Sequence, residues 1–380
     1  MEPYTLDRNF HKRDVIDGFD SVIWTERYFG DSEVELVVPA TREMIKKLPE
    51  GIFLGLDKSD EIMILETAFI EEDKLKLTGI SLLPWMNNRF VRASNKHEDT
   101  VWVIPDAPGT VGYSLWAILY YMCCQGSYYL NGTVNTGIAN PQQLAIPNLG
   151  LRDYDRSGPN ISISVDYGPV YDRMRQIAFT YGIGMQITLD SVTDTSYFLG
   201  FRSYKGLDRT SSQTENPIVR FSPQMDSLTN IKELRSIAAL KTLIYAFAPS
   251  LKPEEGDPDL RTTPGVSRLT GEQYVGFDLR AQMIYSDIQG DTTPPLTVAK
   301  VLEILNGEAK DELAANPFIK AVDGEIVPTS QFKYGVHYNL GDIIEIQGNS
   351  EIVSKGQVLE YIRAQDEAGE KAYPTVTMLD

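Results

Sequence analysis

The sequence predicts a β-rich α+β fold, with short antiparallel strands gathered into a small barrel or sandwich towards each end and α+β insertions between them. Three observations carry that expectation. Residues 1–92 hold several short runs of β-branched and aromatic residues separated by turns. Helical periodicity appears only in short stretches of the centre and over residues 297–315, and residues 333–378 return to alternation.

The elements follow in order. Residues 21–29 are rich in strand-forming side chains, and a Gly30-Asp31-Ser32 turn joins them to residues 33–38, so the two runs read as a hairpin. Val34, Leu36 and Val38 fall on one face with Glu33 and Glu35 on the other, the period of a sheet wetted on one side. Residues 40–47 suit a short helix stopped by Pro49-Glu50-Gly51. Residues 52–56 pair with 62–69, and 74–83 follow the acidic Glu71-Glu72-Asp73 turn, which charge keeps soluble. In the centre, residues 114–125 form an apolar helix, and 126–150 are rich in Asn, Gly and Pro, as an extended loop would be. Val170, Met174, Ile177, Ala178 and Tyr181 share a helix face, stopped by Gly182 and Gly184 before a strand at 185–189 that pairs with 197–204. Strand character returns after Pro217. Residues 242–248 suit either a strand or the end of a helix begun near Ile231. A Pro- and acid-rich loop spans 249–264, a helix spans 297–315, and strands are expected at 333–338, 342–347, 356–363 and 372–378.

An internal echo links the two ends. Gly51 to Leu56, then Ile64-Leu65-Glu66 and Leu77-Thr78-Gly79, parallels Gly341 to Ile346, then Val358-Leu359-Glu360 and Thr375-Val376-Thr377. A duplicated barrel and the chance likeness of alternating strands both produce such a pattern.

Composition narrows the function. The 380 residues suit two or three domains, and the net charge of −18 disfavours a grip on phosphate backbones, which takes clustered Lys and Arg. The longest nearly apolar run, residues 115–124, is short of the ~20 a membrane-crossing helix needs. The N-terminus lacks the pattern of a secretory signal, so assembly in a cytoplasm is expected. Cys123 and Cys124 are adjacent, offering neither a disulfide framework nor a Cys-based zinc site. His11, His97 and His337 each stand without a neighbouring nucleophile or second ligand. Gly182-Ile183-Gly184 lacks the third glycine of a dinucleotide loop, and Gly112-Tyr113-Ser114-Leu115-Trp116 lacks the closing glycine of a nucleophile elbow. Glu254, Glu255, Asp257 and Asp259 are acidic enough to ligate a hard cation but lack the alternation and pivot glycine of an EF-hand, and a solvated loop explains them. The triplets Asn131-Gly132-Thr133 and Asn160-Ile161-Ser162 carry no weight without a secretion signal. No catalytic residue, cofactor or metal is expected, and binding or assembly is the better class.

The segments Tyr4-Thr5-Leu6-Asp7-Arg8-Asn9-Phe10, Val15-Ile16-Asp17, Ser21-Val22-Ile23-Trp24-Thr25-Glu26-Arg27-Tyr28 and Glu35-Leu36-Val37-Val38-Pro39-Ala40-Thr41 resemble the opening of a family of siphophage minor tail proteins. Tyr334-Gly335-Val336-His337-Tyr338-Asn339-Leu340-Gly341-Asp342-Ile343-Ile344 is similar to that family's C-terminal barrel signature. The family is in turn similar to the baseplate-hub proteins of contractile tails. The resemblance implies two small antiparallel β-barrels of similar topology with α+β insertion domains: residues 1–92 as the first barrel, 93–205 as an α+β insert, 206–250 with 325–380 as the second barrel, and 251–324 as an insertion carrying the 297–315 helix. It implies a non-enzymatic homotrimer at the distal end of a virion tail, without stable membrane insertion. The expected partners are the distal tail protein or tail-tube hexamer, the tape-measure protein, and a tail fibre, spike or receptor-binding protein, with DNA only passing through the lumen. The peptidoglycan-cleaving extension of some relatives is not expected after Asp380. Trp24, Arg27 and Tyr28 are the expected interface anchors, because Trp, Tyr and Arg dominate interface energetics, although Trp24 would equally fill its own barrel. A tail-associated wall hydrolase and a glycan- or receptor-binding tail module are the rival readings.

Overall fold

The computed structural model describes residues 1–91, 101–104, 109–124, 146, 149–150, 157–193, 196–251, 259, 262–270, 274–288, 296–327, 331–350 and 352–379. The N-terminal stretch contains β1 (Pro3–Leu6), β2 (Lys12–Val15), β3 (Ser21–Arg27), β4 (Glu33–Pro39), α1 (Arg42–Lys47), β5 (Phe53–Leu56), β6 (Ile62–Glu71), β7 (Lys74–Ser81) and α2 (Leu82–Trp85). The central stretch adds β8 (Phe90–Val91), β9 (Val101–Val103), β10 (Gly109–Thr110), α3 (Val111–Leu119), β11 (Leu149–Gly150), β12 (Asn160–Ile161), β13 (Ser164–Asp166), β14 (Gly168–Pro169), α4 (Val170–Tyr181), β15 (Gly184–Thr193) and β16 (Ser196–Tyr204). The rest is β17 (Arg220–Phe221), β18 (Leu228–Ser236), β19 (Leu243–Phe247), β20 (Gly265–Arg268), β21 (Ala281–Tyr285), α5 (Val298–Ala315), β22 (Ile319–Ile326), β23 (Ile343–Gln347), β24 (Val353–Asp366) and β25 (Gly369–Met378). The protein is β-rich with a few helices.

Two compact units divide the chain. One comprises Met1–Asn230, Gly324–Asn349 and Lys355–Leu379, and the other Ile231–Asp323 with Ser350–Ser354. In the first, the largest sheet among the described residues has eleven strands in the order β17-β23-β24-β3-β4-β7-β6-β5-β1-β2, with β25 also on β24. The β3–β4 hairpin has the alternation its sequence dictates: Val22, Trp24, Val34, Leu36 and Val38 are buried, whereas Ile23 and Glu35 face out. They pack with Leu54, Leu56, Met63, Leu65, Leu75 and Leu77. Thr41 caps α1 by accepting from the Met44 N–H. A second cluster joins α3 and α4 to β15 and β16 through Leu115, Ile118, Met174, Ala178, Met185 and Phe201. Helix α4 ends where expected, on Gly182 at φ 61, a left-handed conformation that glycine adopts without strain.

In the second unit β19 lies between antiparallel β20 and parallel β21. Ile244, Ala246 and Ala248 pack against Val301, Leu305, Ala309 and Leu313 of α5, which Thr297 caps. Of the two readings open for residues 242–248 the strand holds, as β19 over Leu243–Phe247, which hydrogen-bonds to β20 and β21. One expectation changes in detail. Residues 333–338 form a turn closed by a single Tyr334–Tyr338 bridge, with Gly335 at φ 79, because the positive φ bends the chain back before a ladder can start. Helix α3 begins at Val111 and passes into a π-turn, Tyr120–Cys124, in which Cys123 is buried.

The internal echo has a hydrogen-bond counterpart. The Gly51 N–H donates to the Leu65 carbonyl and the Leu65 N–H donates to Ile52; likewise Gly341 donates to Val358 and Val358 to Asp342. One residue beyond each, the long strand bulges: Leu65 opposes Gly79 and Thr67 opposes Thr78, while Val358 opposes Val376 and Glu360 opposes Thr375. β5-β6-β7 and β23-β24-β25 are thus one bulged meander used twice. The sequence echo was one residue out of register, since Leu65 matches Val358 rather than Leu359.

Both meanders open on a glycine of positive φ, 79° at Gly51 and 84° at Gly341, but their surroundings differ. A Cβ on Gly51 would meet only Arg8 Nη2 at 3.6 Å, whereas one on Gly341 would lie 2.2 Å from the buried Tyr28 ring. Gly51→Ala is therefore expected to cost ~1–2 kcal/mol of unfolding free energy, the left-handed penalty alone. Gly341→Ala should cost visibly more in the same urea titration, because strain and overlap act together. Equal losses would contradict the packing around Tyr28.

Candidate functional site

The first unit joins its N-terminal hairpin to its C-terminal meander through one antiparallel ladder, residues 360–365 of β24 on residues 27–22 of β3. Charge pairs flank that ladder. Arg27 donates from Nε to Glu360 at 2.6 Å, from Nη2 to Glu33 at 2.5 Å and from Nη1 to the Asp31 carbonyl at 2.6 Å. Arg363 donates from Nη1 to Glu26 at 2.7 Å and from Nη2 to the Lys58 carbonyl at 3.1 Å, and both paired side chains are only 8% exposed. Glu26 also accepts from Ser59 at 2.6 Å and Tyr334 at 3.2 Å, so it is fully engaged as an acceptor. Tyr334 and Tyr361 stack at 3.8 Å beneath the guanidinium of Arg363. Burial, aided by the neighbouring Glu26 charge, raises the Tyr334 hydroxyl far above the ordinary phenol range and keeps it a neutral donor.

Side chains beside this ladder surround a cavity of 1210 Å³, lined among others by Glu26, Lys58, Glu61, Tyr204, Tyr334 and Arg363. Glu61 reaches it because the turn before β6 docks on β15: Glu61 bridges Thr188, and the Leu189 N–H donates to the Asp60 carbonyl. Its side chain is buried, with 4% of the residue exposed, and its Oε2 has no hydrogen-bond partner among the described residues. Desolvation first and the adjacent Glu26 carboxylate second push its carboxyl up to about 8, against a hydrogen bond from Ser32 and the Arg363 charge. At neutral pH it is largely protonated. At the far wall Asp342 accepts from Arg209 Nε at 2.6 Å and from the Leu207 and Asn339 N–H groups at 2.7 and 3.0 Å.

The expected anchors take distinct places. Trp24 is wholly buried among the β-strand apolar residues, with Nε1 unpartnered among the described residues. Tyr28 is wholly buried too; its hydroxyl lies 3.0 Å from the Gly182 carbonyl and accepts from the Gly206 N–H at 3.1 Å. Only Arg27 keeps exposed surface, at 27% of its side chain. Glu71, Glu72 and Asp73 do form the β6–β7 turn. His11 lies 3.4 Å from Asp7, and the Lys333 N–H donates to His337 Nδ1, both away from the cavity lining. Glu254, Glu255, Asp257, His97 and the Asn131-Gly132-Thr133 triplet lie outside the described residues. Sequence reasoning missed Glu61, Arg363 and Tyr334, because nothing local distinguishes a buried Glu from the solvated turn acids around it.

A family model described as Siphovirus ReqiPepy6 Gp37-like protein matches residues 2–248. Among solved structures, the chain is similar in fold to the 43 kDa tail protein of prophage MuSo2 from Shewanella oneidensis, at 10% identity and a TM-score of 0.51 over 99% of this chain and 98% of that one. The tail protein from Neisseria meningitidis MC58 aligns at 11% identity and TM-score 0.49, covering 100% of this chain and 97% of that chain. Prophage tail protein gp18 from Listeria monocytogenes EGD-e aligns at 12% and 0.48, covering 100% and 94%. The search of curated proteins gave no match.

Two variants test the junction. Glu61 has its folded pKa raised above the unfolded value of 4.5, so it binds its proton more tightly when folded. Its contribution is full below pH 4.5 and is lost as pH rises to about 8. Melting temperature followed from pH 5 to 9 should fall less in Glu61→Gln than in the wild type, the difference exceeding ~1 kcal/mol, or ~2 °C. Parallel curves would show that Glu61 does not titrate in this window. Arg363→Met leaves Glu26 buried without its counter-ion and should cost ~3–5 kcal/mol in urea unfolding, part of which Glu26→Gln restores in the double variant.

Proposed function

Because the chain belongs to the Siphovirus ReqiPepy6 Gp37-like protein family, we propose that this phage tail structural protein is the hub at the distal tip of a long tail, working as a homotrimer. In this reading each bulged meander is part of a small β-barrel, the first from residues 1–92 and the second from 206–250 with 325–380, with the remaining segments as insertions. Three chains would then present six like modules, which lets a threefold ring seat on a sixfold tube. The ring closes or extends the tube, joins the distal tail protein to fibres or receptor-binding parts, and takes the end of the tape-measure protein. The net charge of −18 suits a lumen wall that repels passing DNA.

The observation that supports this most is the unequal covering of two equivalent strands. On β24, residues 360–365 have β25 on one edge and β3 on the other. Residues 67–71 of β6, which match 360–364, have β7 on one edge, and the pairing of β5 with β6 ends at Phe53–Ile64, so no described strand of the chain covers the other edge there. Phe69 and Ile70 on this segment are 56% and 51% exposed. An open strand edge with exposed apolar side chains is a template for another chain. A neighbouring copy fits it, because the repeat already shows what a covering strand looks like.

Light scattering coupled to size-exclusion chromatography should give three times the monomer mass for the wild type. Phe69→Asp/Ile70→Asp should run as a monomer with an unshifted melting temperature. A trimer untouched by the double change would remove the β6 edge from the interface, and a wild type that stays monomeric at high concentration and on isolated tails would overturn the hub.

A further inference from the structure

We propose that the cavity beside the β3–β24 ladder is a binding site for an organic cation, an alkylammonium or guanidinium group, held by Glu61. The argument rests on which lining charges are already matched. Glu26 is paired with Arg363, and Asp342 with Arg209. Asp190 is paired with Arg202 at 3.0 Å, and Lys58 lies 3.6 Å from Glu370. Asp60 and Lys205 are both exposed and opposite in sign. One charge-bearing group is left over. It is Glu61, inside the wall, whose Oε2 has no hydrogen-bond partner among the described residues.

A buried acceptor without a partner costs free energy unless something reaches it. The complement of a surplus carboxylate is a positive charge, and its surroundings favour an organic one. The Tyr334–Tyr361 stack beside the cavity already carries one guanidinium, that of Arg363, and Tyr204 lines the same cavity, so the wall has the aromatic character that attracts such groups. A hard divalent ion would need six or more oxygen ligands, and no group of three or more His, Cys, Asp or Glu suited to a metal exists among the described residues. The volume of 1210 Å³ admits a lysine or arginine side chain with its backbone, or a small polyamine.

Binding carries a proton signature. Glu61 is mostly protonated at pH 7, held so by burial and by the Glu26 charge, while Arg363 acts in the opposite sense. The tyrosines Tyr28, Tyr204, Tyr334 and Tyr361 all titrate above their ordinary range and stay neutral. A cation entering the site therefore displaces the Glu61 proton, which leaves to solvent as the carboxylate forms. Affinity should accordingly rise about tenfold for each pH unit up to about 8, then level off. This inference concerns the single chain and stands whether or not three copies form a ring.

Titration calorimetry of the full chain with n-butylguanidinium at pH 6, 7, 8 and 9 tests it. The expected result is one site per chain with affinity rising to pH 8, and Glu61→Gln binding at least ~10-fold more weakly at pH 8 with no pH dependence. Flat affinity in the wild type, no binding at any pH, or an unchanged Glu61→Gln would overturn the proposal. So would calcium chloride competing at equimolar concentration. The wild-type pH series decides the matter even if the variant does not fold. Two further arms identify the source: tighter binding of blocked lysine (N-acetyl-lysine N-methylamide) assigns the site to a side chain of a partner protein, and tighter binding of putrescine assigns it to a free polyamine.

Discussion

Everything in the larger unit depends on the ladder between residues 22–27 and 360–365, strands from the two ends of the chain. Arg363 and Glu26, 337 positions apart, meet inside it with little solvent around either. Such a pair adds little net stability over apolar residues of the same shape, since desolvation offsets much of the attraction. Its value is in selection. A slip by one residue would put the two charges on opposite faces of the sheet and leave them unmatched, so the pair fixes the register in which the hairpin and the meander join. Arg27, reaching both Glu360 and Glu33, fixes the same register from the other side.

That ladder also makes the internal repeat informative. Two meanders of unlike sequence keep the same glycine turn, the same pair of backbone hydrogen bonds and the same bulge. Backbone geometry of this kind is maintained by what lies alongside. For the C-terminal copy the neighbour is β3 of the same chain, and for the N-terminal copy no described strand covers the edge at 67–71. In the proposed hub, a covered and an uncovered version of one module would let each copy close the strand edge that its neighbour leaves exposed.

Much of the local structure was legible in the sequence. The β3–β4 hairpin followed from alternation around Gly30-Asp31-Ser32, α4 from apolar spacing ended by Gly182, and α5 from Thr297 at its start. What escaped was non-local. Alternation has period two and does not locate a bulge, so the echo was read one residue out of register at Leu65. Residues 333–338 have strand composition, yet Gly335 turns them into a bend. The burial of Glu61 is set by strands from three parts of the chain, and its neighbour Asp60, of similar chemistry, is exposed. Of the three expected anchors, Trp24 and Tyr28 are interior, and residue type alone could not separate an aromatic that fills its own core from one offered to a partner.

Amide hydrogen exchange, read by mass spectrometry on the isolated chain and on the assembled tail, tests the central claim most directly. Residues 360–365 should be protected in both states, because their covering strand comes from the same chain. Residues 67–71 should exchange quickly in the isolated chain and slow down by at least ~100-fold on assembly, as an edge that gains a strand does. Equal protection of the two segments in the isolated chain, or an edge at 67–71 that stays open in the tail, would contradict the account.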